Sequence, residues 1–174
     1  SGSKIIFVPS NHSAYNILKN YDWNYAHVPS SKPHISKPAE EISGEWTYAG
    51  LPVRSPLAIA AGPLLNSEWI KFYAERSFDI LTYKTVRRSY RPSYELPNLV
   101  PIEAMRVQRP GASVRGIGQM TGSWAVSFGM PSREPKIWRD DLVTARQCLG
   151  AGQILSVSVV ATPEEGDDLK TIGE

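Results

Sequence analysis

From Pro56 onward, short apolar runs alternate with longer amphipathic stretches, and this alternation restricts the possible folds more than any other feature. Four runs are apolar at most positions, as strands buried on both faces are: 57–61, 79–85, 124–128 and 154–161. Helix-like apolar spacing follows the first run and precedes the last. Strands that alternate with helices form parallel sheets. The sequence therefore predicts an α/β protein whose four strands are parallel neighbours in chain order.

Three helices are expected around these strands. The first is predicted over residues 66–76, capped by Asn66 or Ser67. The second is predicted over residues 135–149, which begin with proline and are followed by glycine. A third is expected to begin at Thr162-Pro163-Glu164-Glu165, which has the pattern of a capping box with proline at the first helical position. Each helix would connect or follow strands of the same sheet.

The chain is predicted to consist of two regions, residues 1–44 and 45–174. Ser1-Gly2-Ser3, without an initiating Met, suggests a cloning scar. The rest of the first region sets aromatic residues among prolines, which indicates an irregular arm packed against a larger body. The second region opens with a predicted hairpin at 46–53, turning at Ala49-Gly50. We expect this hairpin to cover the end of the sheet where the strands begin.

Composition excludes several classes of function. A net charge of +2 is too small to indicate nucleic acid as a partner, and no apolar run approaches the ~20 residues that span a bilayer. A single cysteine, Cys148, rules out an internal disulfide framework and favours a cytoplasmic location. The three histidines lie in the arm without the spacing of metal ligands, so no metal site is predicted.

Three segments carry a family resemblance by their order. Pro56 to Gly62 ends in Ala60-Ala61-Gly62, Leu81 to Thr85 ends in Lys84-Thr85, and Ser127-Phe128-Gly129-Met130-Pro131-Ser132 follows the third run. They resemble the first strand, the Thr-Lys-Ser/Thr end of the second strand and the Ser-Met-Gly-Leu-Pro-Asn segment of the dihydroorotate dehydrogenase family. Arg91-Pro92 and Leu96-Pro97-Asn98 are similar to the family's turn after strand two. The last run, with Glu164-Glu165, is similar to its fourth strand and helix.

The resemblance implies the N-terminal half of a (β/α)8 TIM barrel with an N-terminal extension and a basal β-hairpin. It also implies FMN as cofactor and oxidation of dihydroorotate, or a related cyclic, pyrimidine-like compound, in pyrimidine biosynthesis. Catalysis in such barrels occurs at the C-terminal ends of the strands. The implied cofactor-binding residues are Ala60, Ala61, Gly62, Lys84 and Thr85; the implied substrate-binding residues are Lys84, Phe128, Gly129 and Met130.

These residues suit that chemistry. Gly62 has no Cβ, so a flat ring can approach its backbone closely. Lys84, the candidate catalytic residue, could stabilise negative charge on a reduced flavin or bind an acidic substrate. In the family, the main-chain N–H groups of the Met-Gly-Leu segment hold the substrate's carboxylate. Phe128, Gly129 and Met130 would supply them here.

The sequence also departs from the family. Val126 stands where the family has an Asn that hydrogen-bonds the substrate ring. This departure favours a dihydropyrimidine dehydrogenase-like enzyme with a different substrate, and a non-catalytic scaffold derived from the barrel is a further alternative. The family's catalytic base and phosphate-binding loops have no counterpart before Glu174. Four strands cannot close a barrel, so we expect an exposed apolar face that pairs with the rest of the barrel or with a second copy.

The connection between residues 86 and 123 is longer than its equivalent in the family and is basic. It carries six arginines (Arg87, Arg88, Arg91, Arg106, Arg109 and Arg115) against Glu95 and Glu103. Long loops in compact domains are commonly lids, binding loops or mobile segments. The sequence leaves open whether this segment is a basic lid over an anionic substrate or a solvated, mobile loop.

Overall fold

The computed structural model describes residues 14–29, 42–103, 111, 113–118 and 122–161, in which helices and strands are mixed. The helices are α1 (Tyr21–Ala26), α2 (Ser67–Ala74) and α3 (Pro135–Gln147). The strands are β1 (Trp46–Tyr48), β2 (Leu51–Val53), β3 (Ala58–Ile59), β4 (Ile80–Val86), β5 (Leu99–Glu103), β6 (Arg115–Gly116), β7 (Trp124–Val126) and β8 (Ile154–Val159).

A parallel sheet in the order β3-β4-β8 is the centre of the described part of the chain. Helix α2 connects β3 to β4, and α3 precedes β8. Both helices pack on one face of this sheet around a core of seven buried residues: Leu64, Ile70, Leu81, Tyr83, Val86, Ala145 and Leu149. The predicted α/β class, three of the four predicted strands and the first two predicted helices are therefore confirmed.

The prediction that residues 124–128 form the third parallel strand is wrong. The strand β7 covers only Trp124–Val126 and pairs antiparallel with β5, which also pairs antiparallel with β6, in a sheet of its own. All three β7 residues are exposed, whereas a parallel strand between β4 and β8 would be buried on both faces. An apolar run of five residues does not distinguish these two arrangements. The last run, β8, is consequently the third parallel strand and not the fourth.

Part of the long connection is ordered as this antiparallel sheet. Strand β5 escaped prediction because Pro101 lies within it and Pro97 lies just before it, and proline usually excludes a central strand. Pro101 still pairs with Trp124, and its carbonyl accepts a hydrogen bond from the Ile117 amide at 2.9 Å. Arg106 and Arg109 lie outside the described residues, so the predicted lid remains a prediction for that part.

The hairpin β1–β2 forms as predicted. Its strands pair antiparallel, and the turn places Ala49 and Gly50 at φ of 50° and 78°. After the hairpin, the side chain of Arg54 binds Asp79 at 2.6 Å, and its backbone amide donates to the Gly152 carbonyl at 3.2 Å. Asp79 immediately precedes β4, and Gly152 lies shortly before β8. The hairpin is thus tied to the end of the sheet where the strands begin.

The described part of the arm, residues 14–29, packs on the body through aromatic side chains. Tyr21 from α1 forms a buried cluster with Leu65, Trp69 and Phe128. Asn24 fixes the chain before α1, because its side-chain amide donates to three backbone carbonyls between residues 16 and 20. The predicted packing of the arm is confirmed for these residues. The predicted cloning scar, residues 30–41 of the predicted first region, and the predicted helix after β8 lie outside the described residues.

Within the described ranges, no helix has the length and apolar character needed to cross a membrane.

Candidate functional site

The C-terminal ends of β3 and β4 bring Gly62 and Lys84 together. The Lys84 amide donates to the Leu64 carbonyl at 2.9 Å, and the ammonium donates to the Gly62 carbonyl at 3.3 Å. The pairing of β4 with β8 shifts register between Tyr83 and Val86, so Lys84 lies at an irregularity of the strand. Such irregularities re-aim side chains and are frequent beside active sites. Lys84 therefore lies near the C-terminal end of β4, two residues before Val86.

The environment of the Lys84 ammonium is largely dry. The residue is 7% exposed, and Nζ lies 4.7 Å from the centre of the Phe128 ring and 5.9 Å from that of Tyr21. Aromatic faces and a carbonyl oxygen partly compensate a buried cation, and no carboxylate of the described residues forms an ion pair with it. Burial lowers the pKa of Lys84 from 10.5 to about 8. The amine can therefore lose its proton in mild alkali, at a pH where an exposed lysine stays protonated.

The other candidate cofactor residues border an open surface. Ala60 and Gly62 are exposed, and a Cβ added to Gly62 would meet no atom within 4 Å. Thr85 is half-buried, and its hydroxyl lies 2.8 Å from the hydroxyl of Ser158 on β8. Small side chains, an open backbone and a nearby cation would fit a flat, electron-accepting ring such as that of FMN. These residues are thus compatible with the predicted cofactor.

The candidate substrate segment, Phe128–Met130, has an unusual backbone. Gly129 and Met130 both have positive φ, 75° and 48°. A Cβ on Gly129 would lie 2.8 Å from the ring of Tyr94, so only glycine fits at this position. Phe128 is buried beside Lys84, whereas the Met130 side chain is 51% exposed.

Hydrogen bonds fasten this segment to residues 87–98. Tyr94 donates its backbone amide to the Phe128 carbonyl at 3.0 Å. Arg91 and Arg87 donate from Nε to the carbonyls of Gly129 and Met130, at 2.8 and 3.0 Å. Both arginines belong to the long basic connection, for which the sequence left open a lid or a mobile loop, and their spacing gives no sign of a role in shaping the segment.

Tyr21 is the other residue that sequence analysis missed. It comes from the N-terminal arm, and its ring lies over the ammonium of Lys84. The aromatic composition of the arm predicted packing, but nothing in the sequence indicated that the packing reaches the candidate site. Burial raises the pKa of Tyr21, so its hydroxyl remains neutral.

The remaining candidates lie apart. Val126 is 59% exposed on β7 and presents a methyl surface where the family has an amide. Cys148 is half-buried directly after α3, and burial raises the pKa of its thiol. In the part of the chain that the structure describes, no three His, Cys, Asp or Glu side chains are grouped as a metal site requires.

Comparison with known proteins supports the resemblance in the sequence. The chain is similar to a curated dihydroorotate dehydrogenase from Dictyostelium discoideum, with 29% identity over 174 residues. The alignment covers 92% of this chain and 47% of the relative, so the chain spans about half the relative's length. No family model matches the chain, and no solved structure does. The predicted resemblance to dihydroorotate dehydrogenase is confirmed, and it extends along nearly the whole chain.

Proposed function

We propose that the protein is an FMN-dependent oxidoreductase of the CH–CH type that oxidises dihydroorotate or a related cyclic, pyrimidine-like compound. The similarity to a dihydroorotate dehydrogenase supports the class of reaction. The single structural observation that carries the proposal is the convergence of Lys84, Gly62 and Phe128. They come from three separate segments, each of which resembled a site segment of that family.

The open edge formed by Ala60, Ala61 and Gly62, with Lys84 and Thr85 beside it, is where the chain would hold FMN. When bound, FMN would accept the two electrons removed from the substrate. The chain itself would supply exposed backbone at residues 60–62, which a flat ring can approach closely, and the Lys84 ammonium beside it. A cation in a dry site stabilises developing negative charge more strongly than it does in water.

In this proposal Lys84 acts as a cation. In its protonated form it stabilises negative charge at the site, and its lowered pKa of about 8 leaves most molecules protonated at pH 7. Its neighbours exclude water, since Phe128 and Tyr21 cover the ammonium. The aromatic cover thus strengthens the lysine's electrostatic effect while making the charge easier to remove.

The segment Phe128–Met130 would bind the anionic group of the substrate. Its three amides donate to no acceptor among the described residues, while its carbonyls are already engaged. Backbone N–H groups in a left-handed turn favour anions.

We also propose that the parallel sheet β3-β4-β8 begins a (β/α)8 barrel, with the remaining strands supplied by further chain or by a second copy. The side chains of Val157 and Val159 on β8 are 39% and 73% exposed, which is unusual for a parallel strand. A covering element on β8 would bury them. A cytoplasmic location also remains a prediction.

Val126 supports a second substrate within the same class. The exposed valine cannot donate or accept the hydrogen bond that the family's Asn makes with the substrate ring. A site without that donor discriminates less strongly among ring substituents. A dihydropyrimidine dehydrogenase-like activity, on a neutral dihydropyrimidine, is therefore the second candidate.

Replacing Lys84 with alanine in the full-length protein tests the proposal. We expect the rate of flavin reduction by substrate, or the flavin content, to fall on the order of 100-fold, as for other losses of one oriented charge-stabilising group. Lys71→Ala, at an exposed position of α2, is the matched control and should leave both quantities unchanged. If Lys84→Ala changes neither quantity by as much as twofold, Lys84 is no part of the site.

A further inference from the structure

Hydrogen bonds from one side of the segment Phe128–Met130 fix the orientation of its peptide groups. In a trans peptide the C=O and the following N–H point in opposite directions. A partner that holds the carbonyl of one residue therefore aims the amide of the next residue away from itself. All the described peptide bonds in this segment are trans.

Four donors hold the three carbonyls concerned, and all of them belong to residues 91–98; one is the Ser93 hydroxyl, which donates to the Phe128 carbonyl at 3.2 Å. Asn98 donates from Nδ2 to the Ser127 carbonyl at 3.2 Å, and the Tyr94 amide donates to the Phe128 carbonyl at 3.0 Å. Arg91 donates from Nε to the Gly129 carbonyl at 2.8 Å. The amides of Phe128, Gly129 and Met130 therefore point away from residues 91–98.

The backbone conformation strengthens this arrangement. Gly129 and Met130 are both left-handed, and consecutive N–H groups in such turns form a concave site for anions. A left-handed conformation is disfavoured for methionine and persists only where its surroundings fix it. The hydrogen bond from Arg91 to the Gly129 carbonyl fixes the peptide between these two residues.

Asn98 controls more than one of the carbonyls. It is 2% exposed, and its Nδ2 also donates to the carbonyls of Tyr94 and Glu95, at 3.0 and 3.3 Å. It therefore holds both the Ser127 carbonyl directly and the turn from which Tyr94 donates. The loss of Asn98 would release the Ser127 carbonyl and remove two hydrogen bonds from the turn that carries Tyr94.

We propose that Arg91 and Asn98 are positioning residues for a carboxylate-binding site made of the amides of Phe128, Gly129 and Met130. The choice of a carboxylate on a pyrimidine-like ring rests on the proposed function. Neither residue touches the carboxylate; each acts through the peptide group that it holds. The site binds the carboxylate because its donors are already aimed before the substrate arrives.

Arg87 provides a matched control for the charge of Arg91. It makes the same kind of hydrogen bond, from Nε to the Met130 carbonyl at 3.0 Å. The residue after Met130 is Pro131, which has no N–H. Removing Arg87 therefore removes one positive charge and one carbonyl bond from the same segment without releasing a ligand-binding amide.

The experiment compares Arg91→Met with Arg87→Met in the full-length protein. The dissociation constants are measured for orotate and for its methyl ester, which keeps the ring but has no charge. We expect Arg91→Met to reduce the preference for orotate on the order of tenfold, as for one charge-assisted hydrogen bond, and Arg87→Met to leave it near that of the unmodified protein. A common weakening of both ligands would show a structural role only.

Three results would overturn the inference: no preference for orotate in the unmodified protein, an unchanged preference in Arg91→Met, or an equal loss in both variants. Should Arg91→Met fail to fold, Arg91→Lys replaces it. Lysine keeps the charge, has a methylene where Nε donates, and is expected to show the same loss. Oxidation of dihydroorotate is measured on the same samples. A protein that prefers orotate but does not oxidise dihydroorotate would refute the proposed function and leave this inference intact.

Discussion

The unmodified protein is expected to become more stable with rising pH in mild alkali, and replacing Lys84 with methionine is expected to abolish this rise. Methionine has a similar length and no charge, so the variant removes the cost of burying an ammonium while it keeps most of the packing. The perturbed site is dry, since Lys84 is 7% exposed and lies against two aromatic rings.

The size of the effect follows from the pKa of Lys84, which burial lowers from 10.5 to about 8. Below pH 8 the lysine is protonated in both the folded and the unfolded states, and the full burial cost of about 3 kcal/mol applies. Between pH 8 and 10.5 the unfolded state binds more protons, so the free energy of unfolding rises with pH. From pH 7 to pH 9.5 this rise amounts to about 2 kcal/mol.

The assay is equilibrium unfolding in urea at several pH values, with the unmodified protein compared to Lys84→Met. The difference in unfolding free energy between them should shift by about 2 kcal/mol in favour of the unmodified protein from pH 7 to pH 9.5. Lys71→Met is the control, because that lysine is exposed on α2, and its difference should be constant with pH. A constant difference for Lys84→Met as well would refute a buried, desolvated ammonium.

Two further predictions concern stability, and the same unfolding assay measures both. Asp141→Ala should lower the free energy of unfolding by about 3 kcal/mol, because Asp141 accepts hydrogen bonds from the Tyr83 hydroxyl at 2.6 Å and from the first residue of α2. Asp140→Ala, at an exposed ion pair, should lower it by less than about 1 kcal/mol. Equal losses would contradict a stabilising role for the hydrogen bonds to Asp141. Gly129→Ala should lower the free energy of unfolding more than Gly50→Ala does. Both glycines have positive φ, which costs alanine about 1 kcal/mol, but only at Gly129 does the new Cβ meet another side chain. Equal losses at the two glycines would show that the ring of Tyr94 yields freely.

The parts of the fold that depend on local sequence could be predicted. Helix α2 begins at the expected cap, since the Asn66 side chain accepts from the Trp69 amide, and the hairpin turns at its predicted glycine. The predicted strand over residues 79–85 was likewise close to β4, which covers Ile80–Val86, because short apolar runs bounded by other elements indicate buried strands. These features require only neighbours in the chain.

The pairing of β7 could not be predicted because it depends on a distant segment. Residues 124–126 look like a buried strand, and only the position of β5 shows that they belong to an antiparallel sheet. The packing of the Tyr21 ring over Lys84 could not be predicted for the same reason, since Tyr21 is 63 positions away in the sequence. Arg91 and Asn98 donate hydrogen bonds to backbone carbonyls, and no pattern of side chains in the sequence predicts such contacts.

Anaerobic mixing of the full-length, flavin-loaded protein with dihydroorotate tests the central claim most directly. The account predicts loss of the oxidised flavin's absorbance together with formation of orotate. Dihydrouracil, which lacks the carboxylate, should reduce the flavin more slowly, because it cannot use the amides of Phe128, Gly129 and Met130. Faster reduction by dihydrouracil would favour the second candidate substrate. A protein that binds no flavin, or a flavin that neither compound reduces, would contradict the account.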